Sequence, residues 1–119
     1  MSKVLIIEDD DFFRELVTKK IGSTFDMIEA NDGEKGVEMA KKEKPDLILL
    51  DLLLPGIDGF EVLNRIKADP ELAKIPIINL SNLGQQEDIE KALKLGSNDF
   101  LVKSQFDINQ IIDKIKSFL

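Results

Sequence analysis

The sequence predicts an α/β fold, a doubly wound sheet of five parallel strands in the order 2-1-3-4-5 with a helix after each strand. Three observations predict it. Short apolar runs recur along the chain, continuous enough to be buried on both faces. Segments with apolar residues at offsets of three, four and seven alternate with them, as amphipathic helices require. Capping and breaking residues stand at the junctions. Alternation of this kind implies parallel strands covered by helices on both sides.

Taken in order, KVLII from Lys3 is the first strand, followed by a helix whose apolar face is Phe13, Leu16, Val17 and Ile21, stopped at Gly22. FDMIEA from Phe25 alternates, as an edge strand does. The segment Asp32 to Glu43 is rich in helix formers, and Asn31 with Glu34 reads as its capping box. DLILL from Asp46 is the third strand. Asp58 with Glu61 caps a helix with Gly59, Val62, Leu63 and Ile66 on one face. IPIINL from Ile75 is the fourth strand, with Pro76 near its start, where a missing donor is tolerated. Ile89, Ala92, Leu93 and Gly96 share a helix face, and Gly96 also marks that helix's end. DFLV from Asp99 is the fifth strand. Asp107 with Gln110 opens a last helix faced by Ile108, Ile111, Ile112 and Ile115.

A chain of 119 residues suits one domain over residues 1–119, and 43% apolar content supports an ordinary core. Histidine and cysteine are both absent. That excludes a histidine base, a histidine metal ligand, an internal phosphohistidine, a disulfide framework and a thiolate metal site, and it argues against zinc. The net charge of −7 and the lack of Tyr and Trp argue against nucleic acid as a direct partner and against a membrane surface. The start, MSKVLII, has no signal-peptide apolar region, so a cytoplasmic location is expected.

LILLDLLLPGIDG, from Leu47, sets one acid, Asp51, inside an apolar run. A buried carboxylate is costly unless a cation or hydrogen bonds compensate it. Ligands of open α/β sheets bind beyond the carboxyl ends of the strands. Those ends carry Glu8 and Asp9 after the first strand, Asp51 at the third, Ser81 after the fourth and Lys103 after the fifth. The acidic run continues through Asp10 and Asp11, which suit a helix N-terminus. Strands one and three are neighbours in this order, so their acids should converge. Three carboxylates call for compensating charge, which Mg²⁺ and Lys103 would supply. A carboxylate beside Mg²⁺, a lysine and a hydroxyl is what phosphoryl transfer to an aspartate needs.

With LIIEDD, LLDLLLPGIDGFE, NLSN and FLVKS in this order, and Ser81 and Lys103 following Asp51 by 30 and 52 residues, the chain resembles a response-regulator receiver domain of the CheY-like family along essentially its whole length. The resemblance implies the flavodoxin-like (βα)5 fold and a phosphorylation-switched role in two-component or phosphorelay signalling. Asp51 is then the phosphoacceptor. Asp9 and Asp51 bind Mg²⁺ directly, Glu8 through water, and Leu53 through its backbone carbonyl. Ser81 and Lys103 grip the phosphate. Ser81 and Phe100 form the switch that shifts the face made by the fourth helix, fifth strand and fifth helix. The implied partners are a histidine kinase or histidine phosphotransfer protein as donor, a downstream protein target, and a possible phosphorylation-dependent dimer. Phe13 sits both on the core stripe and beside the acidic cleft where partners of the family dock.

The chain departs from the family at three places. Ser104 stands after Lys103 where the family has proline, so a trans bond is expected, because a cis bond before a non-proline costs roughly 3–4 kcal/mol. Asn82 follows Ser81 in place of a small residue and narrows the donor's path. Leu53 and Leu83 offer no hydrogen bond to an attacking water, which predicts slow self-dephosphorylation. Two other readings stand beside the switch. One is a phosphate-independent interaction module of the same fold. The other is a Mg²⁺-dependent aspartyl-phosphate phosphohydrolase, disfavoured because Leu53 occupies the place of its second acid. The switch is not an enzyme in the ordinary sense, since its chemistry is confined to its own Asp51.

Overall fold

A computed structural model of the protein describes residues 1–82, 85–105 and 107–119. The elements run β1 (Lys3–Ile7), α1 (Asp11–Ile21), β2 (Asp26–Ala30), α2 (Gly33–Glu43), β3 (Leu47–Asp51), α3 (Gly59–Ala68), β4 (Ile77–Ser81), α4 (Gln86–Lys94), β5 (Asp99–Val102) and α5 (Ile108–Lys116), with a 3-10 turn at Lys103–Gln105. The five strands form one sheet in the order β2-β1-β3-β4-β5, and every pairing is parallel. The predicted fold class is therefore the observed one.

Strict alternation along the strands divides the core in two. Leu5, Ile7, Ile48, Leu50 and Ile77 pack with Val37 and Ala40 of α2, Val62, Leu63 and Ile66 of α3, and Ala92 of α4. Val4, Ile6, Leu47, Leu49, Ile78 and Leu80 pack on the other face with Val17 and Ile21 of α1 and Ile111 and Ile115 of α5. β1, β3 and β4 lie inside the sheet, which is why their sequences are continuous apolar runs rather than alternating ones. β2 is an edge, and its polar residues Asp26 and Glu29 are exposed. No helix among the described residues is long and apolar enough to cross a membrane.

Three local expectations need correction. α2 is capped by Asp32, whose carboxylate accepts the Lys35 N–H at 2.8 Å, and not by Asn31. The helix starts one residue later than the proposed box requires, and Glu34 instead pairs with Arg65 at 3.3 Å. On α4, Leu93 is exposed and so is Gly96; the buried stripe runs through Ile89 and Ala92 to the half-buried Leu95. β1 and β5 have the expected limits, while those of β3 and β4 shift toward the carboxyl side. Asp51 and Ser81 are the last residues of β3 and β4, while Pro76 lies just before β4, where Asn98 Oδ1 takes the Ile77 N–H at 3.0 Å. The other caps are as expected. Asp58 accepts from the Glu61 N–H at 2.9 Å, and Asp107 accepts from the Asn109 and Gln110 N–H groups. Gly96 follows α4 with φ +111°, a conformation that favours glycine.

Candidate functional site

The carboxyl ends of β1, β3, β4 and β5 converge on a cluster of charge. Glu8 leaves β1 fully buried, Asp51 ends β3 at 4% exposure, and Asp9 is exposed at the rim. One carboxylate oxygen from each of these three lies within 4.8 Å of the others. Lys103, in the turn after β5, places its ammonium 3.3 Å from Asp51 Oδ2 and in direct contact with Glu8 Oε1. The Lys103–Ser104 bond is trans, since no cis peptide occurs among the described residues.

Backbone geometry holds these groups. The Leu53 N–H donates to Asp51 Oδ1 at 3.2 Å, which turns the chain immediately after β3. The Gly59 N–H then donates to the Leu52 carbonyl at 3.0 Å and brings the start of α3 against this turn. A Cβ on Gly59 would lie 2.4 Å from the Asp51 carbonyl oxygen and 2.5 Å from Leu52 Cα, so only glycine permits this approach. Asp10 caps α1 by accepting the Phe13 N–H at 3.1 Å, and its own N–H donates to Glu8 Oε2 at 3.2 Å. The acidic run thus divides by role: Asp10 and Asp11 belong to the helix start, while Glu8 and Asp9 belong to the cluster.

The electrostatics follow from burial. Burial and the neighbouring Asp51 carboxylate push the Glu8 carboxyl up to about 7, against the opposing pull of Lys103. Burial pulls the Lys103 ammonium down, but its pairs with Glu8 and Asp51 outweigh this and leave it raised. With all groups ionised, three carboxylates face one ammonium. An all-oxygen donor set with surplus negative charge, in a chain with no His or Cys, fits a hard divalent cation such as Mg²⁺.

Ser81 is buried at the end of β4, and its hydroxyl donates to the Leu101 carbonyl at 3.3 Å. It is near the cluster in the fold but bonded to β5. Asn82 is exposed, and its N–H donates to Gln85 Oε1 at 2.6 Å. Leu53 is 54% exposed beside Asp51; Leu83 lies outside the described residues. Phe100 is half-buried, in register with Asn79. Phe13 packs with the α1/α5 core, and its ring centroid is 5.2 Å from Lys103 Nζ. Its neighbour Phe12 is exposed.

Two residues not singled out from sequence contribute here. Lys114 of α5 donates to the Phe100 carbonyl at 2.9 Å, pairs with Asp99 at 3.3 Å, and lies 5.5 Å from the Phe100 ring centroid. Arg14 of α1 donates to the Glu8 carbonyl at 2.8 Å. A lone cation three residues after the acidic run was the available signal for Arg14. Lys114 gave none, because its partners are distant in sequence.

Residues 4–116 match the response regulator receiver domain family. The chain is 38% identical over 120 residues to the DNA-binding dual master transcriptional regulator RpaA of Synechocystis, covering 100% of this chain and 49% of that protein. It is 41% identical over 106 residues to the transcriptional regulatory protein AfsQ1 of Streptomyces coelicolor, covering 87% and 45%. The chain thus spans about half the length of these curated relatives. Among solved structures, the receiver domain of Francisella response regulator 1452 superposes with TM-score 0.88 at 28% identity, covering 99% and 96% of the two chains. The receiver domain of the sensor histidine kinase PA1611 from Pseudomonas aeruginosa, which holds a magnesium ion in its active site cleft, does so with TM-score 0.90 at 27% identity, covering 98% and 96%. By sequence match, strand order and acidic cluster alike, the chain belongs to the response regulator receiver domains, the signalling modules of two-component systems.

Proposed function

We propose that this domain is a phosphorylation switch in which Asp51 takes a phosphoryl group from a phosphohistidine on a histidine kinase or a histidine phosphotransfer protein. The observation that carries this reading is the buried Asp51 carboxylate, 3.3 Å from Lys103 and grouped with Glu8 and Asp9. The attacking group is a carboxylate, which has no proton to lose, so no general base is needed. Its oxygen bonds to phosphorus as the P–N bond breaks. The bond pair returns to an imidazole protonated at its other nitrogen, which leaves as neutral histidine.

The carboxylates of Glu8, Asp9 and Asp51, with the Leu53 carbonyl, would hold Mg²⁺. When bound, Mg²⁺ supplies positive charge against the phosphoryl oxygens. Lys103 adds a fixed cation on the β5 side. Ser81 exchanges its bond to the Leu101 carbonyl for one to the phosphoryl group. That change at the end of β4 frees Phe100 on β5 to move, and Lys114 with it. The populations of the α4-β5-α5 face then shift toward a form recognised by a downstream protein or by a second copy of the chain. With a charge of −7 the domain's own contacts are with proteins rather than nucleic acid, in the cytoplasm. The exposed, apolar Leu53 orients no water, so the aspartyl phosphate is long-lived.

The test is treatment with acetyl phosphate, or with beryllofluoride, with and without Mg²⁺, read by intact mass or NMR. A Mg²⁺-dependent adduct or shift that disappears in Asp51→Ala is expected. No response from a protein that demonstrably binds Mg²⁺ would refute the switch and leave a receiver-fold docking module.

A further inference from the structure

Arg14 stands six residues beyond Glu8, and its side chain is only 12% exposed. Its guanidinium makes three bonds to three different elements. Nη1 donates to the Glu8 backbone carbonyl at 2.8 Å, Nη2 to Asp11 Oδ1 at 2.7 Å, and Nε to Glu29 Oε1 at 3.2 Å. Glu29 lies on β2 and Asp11 begins α1, so one planar group ties the edge strand, the helix start and the end of β1 together.

The contact with Glu8 bears directly on the cluster. The Glu8 carbonyl belongs to the peptide unit joining Glu8 to Asp9. Holding that oxygen sets the plane of the peptide, and with it the direction in which the Asp9 side chain leaves the backbone. The Glu8 N–H is held from the neighbouring strand by the Ala30 carbonyl at 3.0 Å. The turn carrying both acids is therefore pinned on each side of Glu8.

We propose that Arg14 is a positioning residue for divalent-cation binding: through the Glu8 carbonyl it presets the Glu8–Asp9 pair relative to Asp51. This rests on the Mg²⁺-binding reading given above. Charge alone argues for the opposite effect. A cation near the cluster repels Mg²⁺, so its removal should tighten binding; Asp11 and Glu29 offset much of that field. Geometry and charge therefore give predictions of opposite sign. Lysine separates them further, because it keeps the charge but lacks the planar fork that reaches three acceptors at once.

The experiment is a Mg²⁺ titration of the whole chain followed by amide NMR, together with the carbonyl ¹³C shift of Glu8 in metal-free protein. Wild type comes first: if it does not bind Mg²⁺, the switch reading fails before Arg14 is tested. Given wild-type binding, Arg14→Gln and Arg14→Lys are both expected to weaken Mg²⁺ by about tenfold, the scale of outer-shell partners of a metal site. Both should also move the Glu8 carbonyl resonance. Unchanged or tighter binding in Arg14→Gln overturns the proposal, as does wild-type affinity in Arg14→Lys. Arg14→Lys keeps the charge and the aliphatic stem, and it carries the test alone should Arg14→Gln not fold.

Discussion

The buried Glu8 makes the metal-free protein's stability depend on pH in a way that can be calculated. Its carboxyl is fully buried beside Asp51 and is held up to about 7, against an ordinary value of 4.5. Between those two values the native state binds a proton that the unfolded chain releases. Stability from this group is therefore complete below pH 4.5 and is lost as pH rises through 7. At about 1.4 kcal/mol per tenfold change in proton affinity, the loss is roughly 3 kcal/mol. Glu8→Gln copies the neutral form at every pH. Urea unfolding in EDTA, followed by far-UV circular dichroism because the chain has no Trp or Tyr, measures both proteins from pH 5 to pH 8. Glu8→Gln is expected to gain roughly 3 kcal/mol on wild type across that range. Saturating Mg²⁺ should abolish the gain, since a nearby cation favours the ionised carboxylate. A wild-type-to-variant difference that stays flat with pH in EDTA would show Glu8 ionised throughout, and Lys103 stronger than burial.

Four further perturbations test the framework around the cluster. Lys103→Met leaves Glu8 and Asp51 buried without their ammonium, so metal-free stability at pH 8 should fall by about 3 kcal/mol and partly recover at pH 5, where Glu8 takes up a proton; equal losses at both pH values would refute this. Gly59→Ala drives a Cβ into the Asp51 carbonyl and Leu52 Cα and should cost about 1–3 kcal/mol in urea unfolding. Gly56→Ala, with nothing within 4 Å but φ +72°, should cost only about 1 kcal/mol of backbone strain. Asn79 is fully buried on β4, with neither amide atom partnered among the described residues. Asn79→Leu should therefore raise stability by about 1–3 kcal/mol, and a lower denaturation midpoint would mean that the amide has a partner.

Sequence alone determined the architecture and the composition of the site. Continuous apolar runs and helical offsets report burial on two faces and on one face, and burial is what decides strand and helix here. Asp51, Glu8, Asp9, Ser81 and Lys103 were legible because strand ends in a parallel sheet point one way, so their residues must meet. The α2 cap was misplaced at Asn31 because Asn31 and Asp32 are equally good caps by type. Only the backbone path, extended at Asp32, chose between them. Leu93 was misread for a related reason: two residues on one helix turn both satisfy the offsets, and packing against the sheet selects the face.

Tertiary structure alone decided which contacts the charges make. Glu8 and Asp10 have the same charge and nearly the same place in the chain, yet one is buried against Lys103 and the other caps a helix in solvent. Phe13 enters the core and Phe12 stays out by a rotation of 100° along the helix. Lys114 finds the Phe100 carbonyl because α5 packs against the sheet at a register no local pattern encodes. Pattern in the chain reports which side of an element is buried. The partner of each polar atom depends on how separate elements are placed against one another, and that placement is a property of the whole fold.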